Sequence, residues 1–255
     1  MLFMVGTGLA PDDISLRALE LCKRRGIDLF AENYTSNATP EYIRTISERT
    51  GKRITMLGRE EMEEGMAQLV KSAAVKDIVV LVGGDPLIAT THKIAYMEAR
   101  KHGVMVAVLH SASVLSAAMG ESGLDFYRFG QVCTIPRWSE HYKPVSFYET
   151  IEKNMKGNLH SLLLLDYNQK SQSSIQPSYA AGILEGAEKS YGKGIIGDGT
   201  KLIVLHNLSI EGESKLYLGF RSVKRLEFGS GPTVFILPAK LSDIEQGVVS
   251  AVFGD

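Results

Sequence analysis

The run Ile78-Val79-Val80-Leu81-Val82, with the turn Gly83-Gly84-Asp85-Pro86 directly behind it, constrains the fold more than any other stretch of this chain. Five consecutive apolar residues make a strand with no polar face. Both of its faces must then be covered, which is the situation of a parallel sheet between two helix layers. In open sheets of that kind, ligands sit beyond the carboxyl ends of the strands, where these glycines and the aspartate stand. The start of the chain repeats the pattern: a strand over 2–5 runs into Gly6-Thr7-Gly8-Leu9-Ala10-Pro11.

The remainder of the first half agrees with that reading. Short strand-forming runs at 29–31, 54–57 and 104–109 alternate with helical periods such as Ile14-Ala18-Leu21-Cys22 and Met62-Met66-Leu69-Val70-Ala73. Gly26, Gly51 and Gly103 follow helical stretches at the position where a left-handed residue ends a helix. Beyond residue 112 the rhythm changes. Strands are expected at 131–135, 161–165, 202–205, 215–220 and 233–237, with helices at 147–155, 179–190 and 242–252. The stretch 216–228 lacks a helical period and reads as a hairpin or meander. The expectation is an α/β chain of two lobes. Residues 1–112 would carry a mostly parallel sheet with the GxG and GGDP loops, and residues 113–255 a mixed sheet with flanking helices that completes a cofactor cleft.

Charge and composition exclude several classes. With 28 Lys plus Arg against 29 Asp plus Glu, the chain lacks the cationic excess of a nucleic-acid binder. No apolar run approaches the ~20 residues that span a bilayer, and Met1-Leu2-Phe3-Met4-Val5 has no basic region like that of a signal peptide. Cys22 and Cys133 lack zinc or redox spacing and read as free thiols of a reducing compartment, so a cytoplasmic protein is expected. HExxH, GxSxG and Cys/His clusters are absent from the sequence, and no metal is expected.

The loops suggest what kind of ligand would fit. Pro11 stands where a dinucleotide fingerprint has its third glycine, and Asp12 and Asp13 bring negative charge to the place a pyrophosphate would dock. A phosphate-rich ligand is poorly served there. One with an adenosine end and a positive centre is served better. Asp85 offers a carboxylate to hydroxyl or ammonium groups, Pro86 stiffens the turn, and Thr90 or Thr91 is expected to cap the next helix. Glu32-Asn33-Tyr34-Thr35-Ser36 supplies a third polar loop at the same edge. His92 and His110, each taken singly, read as packing or hydrogen-bonding residues, and the sequence singles out no catalytic side chain.

The VGTGLAP and GGDP loops on two α/β lobes resemble the tetrapyrrole methylase superfamily. Within it, residues 32–36, the stretch Gly84-Asp85-Pro86-Leu87-Ile88-Ala89-Thr90-Thr91-His92 and His110-Ser111-Ala112-Ser113-Val114 are similar to the diphthine synthases, over essentially the whole chain. That resemblance implies S-adenosyl-L-methionine bound between the lobes and released as S-adenosyl-L-homocysteine. It also implies methylation of the 3-amino-3-carboxypropyl histidine of translation elongation factor 2 in diphthamide biosynthesis, and a two-fold homodimer. Carried over by position, the cofactor contacts fall on Leu9, Asp85, Ile88, Ser113, Val114, Leu165, Leu208 and Thr233. Two alternatives share the expected fold. A tetrapyrrole acceptor such as uroporphyrinogen or a precorrin would call for an arginine-lined cleft, and the loops ending at Ser36 and His92 contain no arginine. A non-catalytic S-adenosylmethionine-binding module would bind the cofactor and transfer nothing.

Overall fold

In the first of two units, Met1–Val114, five strands lie parallel: β1 (Leu2–Gly6), β2 (Ile27–Glu32), β3 (Ile54–Leu57), β4 (Asp77–Val82) and β5 (Val106–Leu109). Their order is β3-β2-β4-β1-β5, so β1 lies between β4 and β5. The helices between them are α1 (Leu16–Lys23), α2 (Pro40–Thr50), α3 (Arg59–Glu63), α4 (Met66–Val75) and α5 (Ile94–Lys101). This computed structural model describes residues 1–32, 40–63, 65–168 and 171–254 of the chain.

The two-residue period of a strand sorts its side chains onto two faces. Leu2, Met4, Ile78, Val80 and Val82 pack with Met62, Met66, Leu69, Val70 and Ala99 from α3, α4 and α5. Val5, Leu29, Ala31, Val79 and Leu81 pack with Ala18, Leu21, Cys22, Tyr42 and Ile46 from α1 and α2. Both faces of the 78–82 run are covered, as its unbroken apolarity required. Cys22 is a free thiol inside the second of these cores, and burial raises it to about 11, which keeps it protonated and inert.

The chain enters the second unit, Leu115–Asp255, along α6 (Val114–Glu121) and a 3-10 turn at Phe126–Arg128. There follow β6 (Cys133–Ile135), α7 (Ser146–Lys156), β7 (Ser161–Leu165), a two-residue ribbon of β8 (Tyr167–Asn168) with β9 (Ser173–Ser174), and α8 (Pro177–Tyr191). The unit ends with β10 (Lys201–His206), β11 (Ser214–Gly219), α9 (Phe220–Val223), β12 (Thr233–Leu237) and α10 (Asp243–Phe253). The sheet order is β11-β10-β12-β7-β6. Only the β6–β7 pair is parallel, so the sheet is mixed as expected. Its core joins Ile135, Leu163, Leu165, Leu202, Val204 and Phe235 to Phe147, Ile151, Ala180 and Leu184 of α7 and α8.

One expectation needs correction here. Only the first part of 216–228 is strand, where β11 forms a hairpin with β10. After Gly219 the chain turns into α9, because Phe220 and Val223, three apart, bury one helical face. Among the described residues no helix is long and apolar enough to cross a membrane.

Candidate active site

At the carboxyl ends of β4, β1 and β5, three loops meet. The two glycine turns bind each other directly: the Gly84 N–H donates to the Gly8 carbonyl at 2.7 Å, and the Gly8 N–H to the Gly84 carbonyl at 3.3 Å. Thr7 anchors the first turn, its N–H and hydroxyl both donating to the Val82 carbonyl, and the buried Tyr42 hydroxyl donates to Thr7 Oγ1.

Beyond Gly8 the loop satisfies itself. Asp13 Oδ2 accepts from the N–H groups of Leu9 and Ala10, each at 2.9 Å. In a phosphate-binding loop such successive N–H groups would point at the ligand. Here a carboxylate already occupies them, so these two N–H groups are not offered to a phosphate. Gly8 needs its φ of +81° for this turn, and a Cβ on it would lie 2.1 Å from Asp13 Cβ. By contrast, a Cβ on Gly84 would meet only the Ala112 carbonyl at 3.9 Å, so the backbone in front of it is open to a ligand.

Asp85 is 7% exposed, and its carboxylate turns inward rather than out to a ligand. Oδ1 accepts from the Leu87 N–H at 3.0 Å, while Oδ2 accepts from His110 Nδ1 at 2.7 Å and from the Ser111 N–H at 3.3 Å. One side chain thus fastens the loop after β4 to the loop after β5. The sequence reading did not couple His110 to Asp85. They lie 25 residues apart, and only the strand order brings them together. Ile88 stands exposed on the same loop, Ala89 next to it takes a left-handed φ of +55°, and buried Ser113 and half-buried Val114 follow the β5 loop. Backbone strain in a non-glycine residue is concentrated at ligand sites. Leu9, Asp85, Ile88 and Ser113 belong to the loops at this edge of the first unit, and Val114 opens α6 directly behind them.

Thr90 and Thr91 do not cap α5. That helix starts after Lys93 without a side-chain cap, its first turn bonded back to the Thr91 and His92 carbonyls. Glu32 is buried at the end of β2, and residues 33–36 of its motif lie outside the described residues. His92 is 1% exposed, with Nδ1 at 3.2 Å from the Pro86 carbonyl. Burial holds its imidazole below the usual range, against the opposing pull of the Glu32 carboxylate and the Pro86 hydrogen bond. Such a group braces the turn and is badly placed to take a proton from an acceptor. His92→Gln should lower a single-turnover methyl-transfer rate less than about a hundredfold, the low end of what a general base supplies. Rapid-quench measurement checks this; a loss of a thousandfold in a folded protein would make His92 the base.

The second unit gathers the other three candidates along one rim of its own sheet. Leu165 ends β7, Thr233 opens the adjacent β12, and Leu208 follows β10, whose His206 pairs with Thr233. The Ser174 hydroxyl accepts from the Thr233 N–H at 3.0 Å and donates to the Leu165 carbonyl at 3.4 Å, tying two of them. Thr233 Oγ1 lies 2.9 Å from His206 Nδ1, and the His206 ring stacks on Phe228 at 4.2 Å.

Residues 1–217 match the profile of the Tetrapyrrole (Corrin/Porphyrin) Methylases, so fold and loops together define a methyltransferase of that class. The chain is 33% identical to the diphthine synthase of Methanothermobacter thermautotrophicus, with 100% of this chain and 96% of that protein covered. It is 32% identical to that of Methanococcus vannielii, with 99% of each covered. A crystal structure of a candidate diphthine synthase from Entamoeba histolytica superposes with a TM-score of 0.86 at 29% identity, covering 99% of this chain and 98% of the other. The chain belongs to the diphthine synthase branch of the tetrapyrrole methylases, a family of methyltransferases in diphthamide biosynthesis.

Proposed function

We propose that this enzyme transfers methyl groups from S-adenosyl-L-methionine to the 3-amino-3-carboxypropyl histidine of translation elongation factor 2, in the cytosol and as a two-fold homodimer. The observation that carries the donor assignment is the Asp13 carboxylate on the Leu9 and Ala10 N–H groups. A loop closed in this way suits an adenosyl ligand without phosphate. The acceptor rests on kinship with diphthine synthases along the whole chain. A tetrapyrrole acceptor has no comparable support. For the homodimer, α10 offers an exposed apolar row of Ile244, Val248 and Val252, a surface suited to a second copy.

Leu9, Asp85, Ile88, Ser113, Val114, Leu165, Leu208 and Thr233 are the residues that would hold the donor. Bound there, the donor supplies a methyl group already activated on a sulfonium, so neither a metal nor a covalent enzyme intermediate is required. The protein's own part is to orient and to exclude water, which is worth up to about 7–11 kcal/mol as effective molarity. Asp85 contributes by keeping two loops in register. Asp85→Ala should leave the chain folded but cost about 1.5–3 kcal/mol of stability, the worth of hydrogen bonds to a charged group, and weaken donor binding as the two loops part. Isothermal calorimetry reads the binding directly; unchanged affinity in a folded variant would take Asp85 out of the site.

The function itself is tested by mass spectrometry of elongation factor 2 carrying the 3-amino-3-carboxypropyl histidine after incubation with the enzyme and S-adenosyl-L-methionine. Methyl-sized steps on that residue are expected. Donor binding with an unmodified factor would favour a non-catalytic binding module instead.

A further inference from the structure

The geometry points to His110 Nε2 as the group that takes the proton from the acceptor amine, with Asp85 as the residue that positions it. This inference rests on the methyltransferase reading and adds a catalytic residue to it. Asp85 is 7% exposed and held by the Leu87 and Ser111 N–H groups, so its carboxylate is a fixed acceptor. A carboxylate oxygen only accepts, and His110 Nδ1 sits 2.7 Å from it, so Nδ1 carries the ring hydrogen. Nε2 is then left with its lone pair. The two nitrogens flank Cε1 and their lone pairs diverge, so with Nδ1 on Asp85 the Nε2 lone pair points away from that carboxylate, on a side chain that is 68% exposed. A buried carboxylate fixing the tautomer of an accessible imidazole is the arrangement by which a histidine is made a general base.

His110 also stands in the right company. It follows β5 and comes three residues before Ser113, among the loops proposed to hold the donor. His92, the other histidine of this edge, is sealed in the core. The proton step balances simply. The N–H bond of the acceptor ammonium breaks and an Nε2–H bond forms, leaving on the acceptor nitrogen the electron pair that receives the methyl group. The exposed imidazolium then returns the proton to water.

Three variants separate this role from packing. His110→Ala removes the ring. His110→Asn keeps a side-chain N–H that can bond to Asp85 but has no second nitrogen. Asp85→Asn keeps His110 and loses the carboxylate. Single-turnover methyl transfer at saturating donor and acceptor should fall about 10²–10⁴-fold in both His110 variants. Donor affinity should stay within a few-fold of wild type in His110→Asn, which keeps a bond to Asp85, and added imidazole should restore part of the rate to His110→Ala. In the free protein, ¹⁵N spectra of His110 should show the Nδ1–H tautomer in wild type and a mixture in Asp85→Asn, a readout that needs no turnover. A His110→Asn enzyme within a few-fold of wild type, or an Nε2–H tautomer in the wild-type protein, would overturn the proposal. A wild-type enzyme that leaves the modified factor unmethylated would overturn the function reading itself, and the proton acceptor with it.

Discussion

Gly6→Ala is expected to weaken donor binding more than about tenfold, that is by 1.4 kcal/mol or more, although residue 6 is not one of the proposed donor contacts. Gly6 ends β1, the strand between β4 and β5, and the loops that follow those neighbours meet above it. A Cβ at this point would lie 2.7 Å from the Gly84 carbonyl oxygen, 2.9 Å from Pro86 Cδ and 2.9 Å from Ser111 Cβ. Two of those atoms belong to the loop after β4 and the third to the loop after β5. One methyl group would therefore pry apart the pair of loops that Asp85 ties together. Overpacking of this kind costs about 1–3 kcal/mol of stability. Because the displaced atoms are the candidate site, affinity should suffer along with stability. Calorimetric titration with S-adenosyl-L-methionine, beside urea denaturation of the same variant, separates the two effects. Wild-type affinity in Gly6→Ala would show that the junction of these loops has no part in binding.

The largest loss of stability is expected from Glu245→Ala, within the second unit. Glu245 opens α10 in a capping box with Ser242, and the same buried carboxylate accepts from the Asp125 N–H at 3.1 Å, from Arg128 and from His160 Nε2 at 2.8 Å. The Ala239 N–H donates to His160 Nδ1 at 3.0 Å, so His160 is held as the neutral Nε2–H tautomer. Truncation leaves Arg128 and several N–H donors without their acceptor. Breaking a buried ion pair by removing one partner costs about 3–5 kcal/mol. Denaturant melts should show a loss of that size; a loss under 1 kcal/mol would mean that the partners relax to water.

The same network sets an acid limit. Burial alone would raise the Glu245 carboxyl, but hydrogen bonds from Ser242, His160 and Asp125 outweigh it and bring the group from its ordinary 4.5 down to about 2. A carboxyl lowered by folding makes the unfolded chain the better proton binder. Its contribution to stability is therefore complete above pH about 4.5 and is lost as the pH falls towards 2. The imidazoles of His92, His160 and His206 are held low by burial, so they add a loss that begins below their ordinary 6.5. Unfolding free energies measured from pH 7 downwards should fall in two stages, and Glu245→Ala should shrink the lower one, to which Glu188 and Glu213, also lowered by hydrogen bonds, contribute.

Much of this was legible in the residues alone. The unbroken 78–82 run announced a strand covered on both faces, and the core clusters on either side of β4 follow its odd and even positions. The glycine turns after β1 and β4 were expected at one edge of the sheet, and Gly8 and Gly84 are hydrogen-bonded to each other there. The charges of Asp12 and Asp13 argue against a phosphate from the sequence alone. Leu165, Leu208 and Thr233, by contrast, came only from family resemblance, since an apolar strand end carries no local sign of a ligand.

What the tertiary structure decided is which polar groups meet. Apolar period, turn glycines and a Ser-x-x-Glu start are properties of neighbours along the chain, so Ser242 and Glu245 could be paired by spacing alone. That Glu245 also serves Arg128, 117 residues away, depends on how strands and helices are ordered in space. Asp85 likewise read as a carboxylate held out to a ligand, whereas the order β4-β1-β5 turns it towards His110 and makes Gly6 the spacer between them. Strand order is set by the packing of whole layers, and no short stretch of sequence contains it.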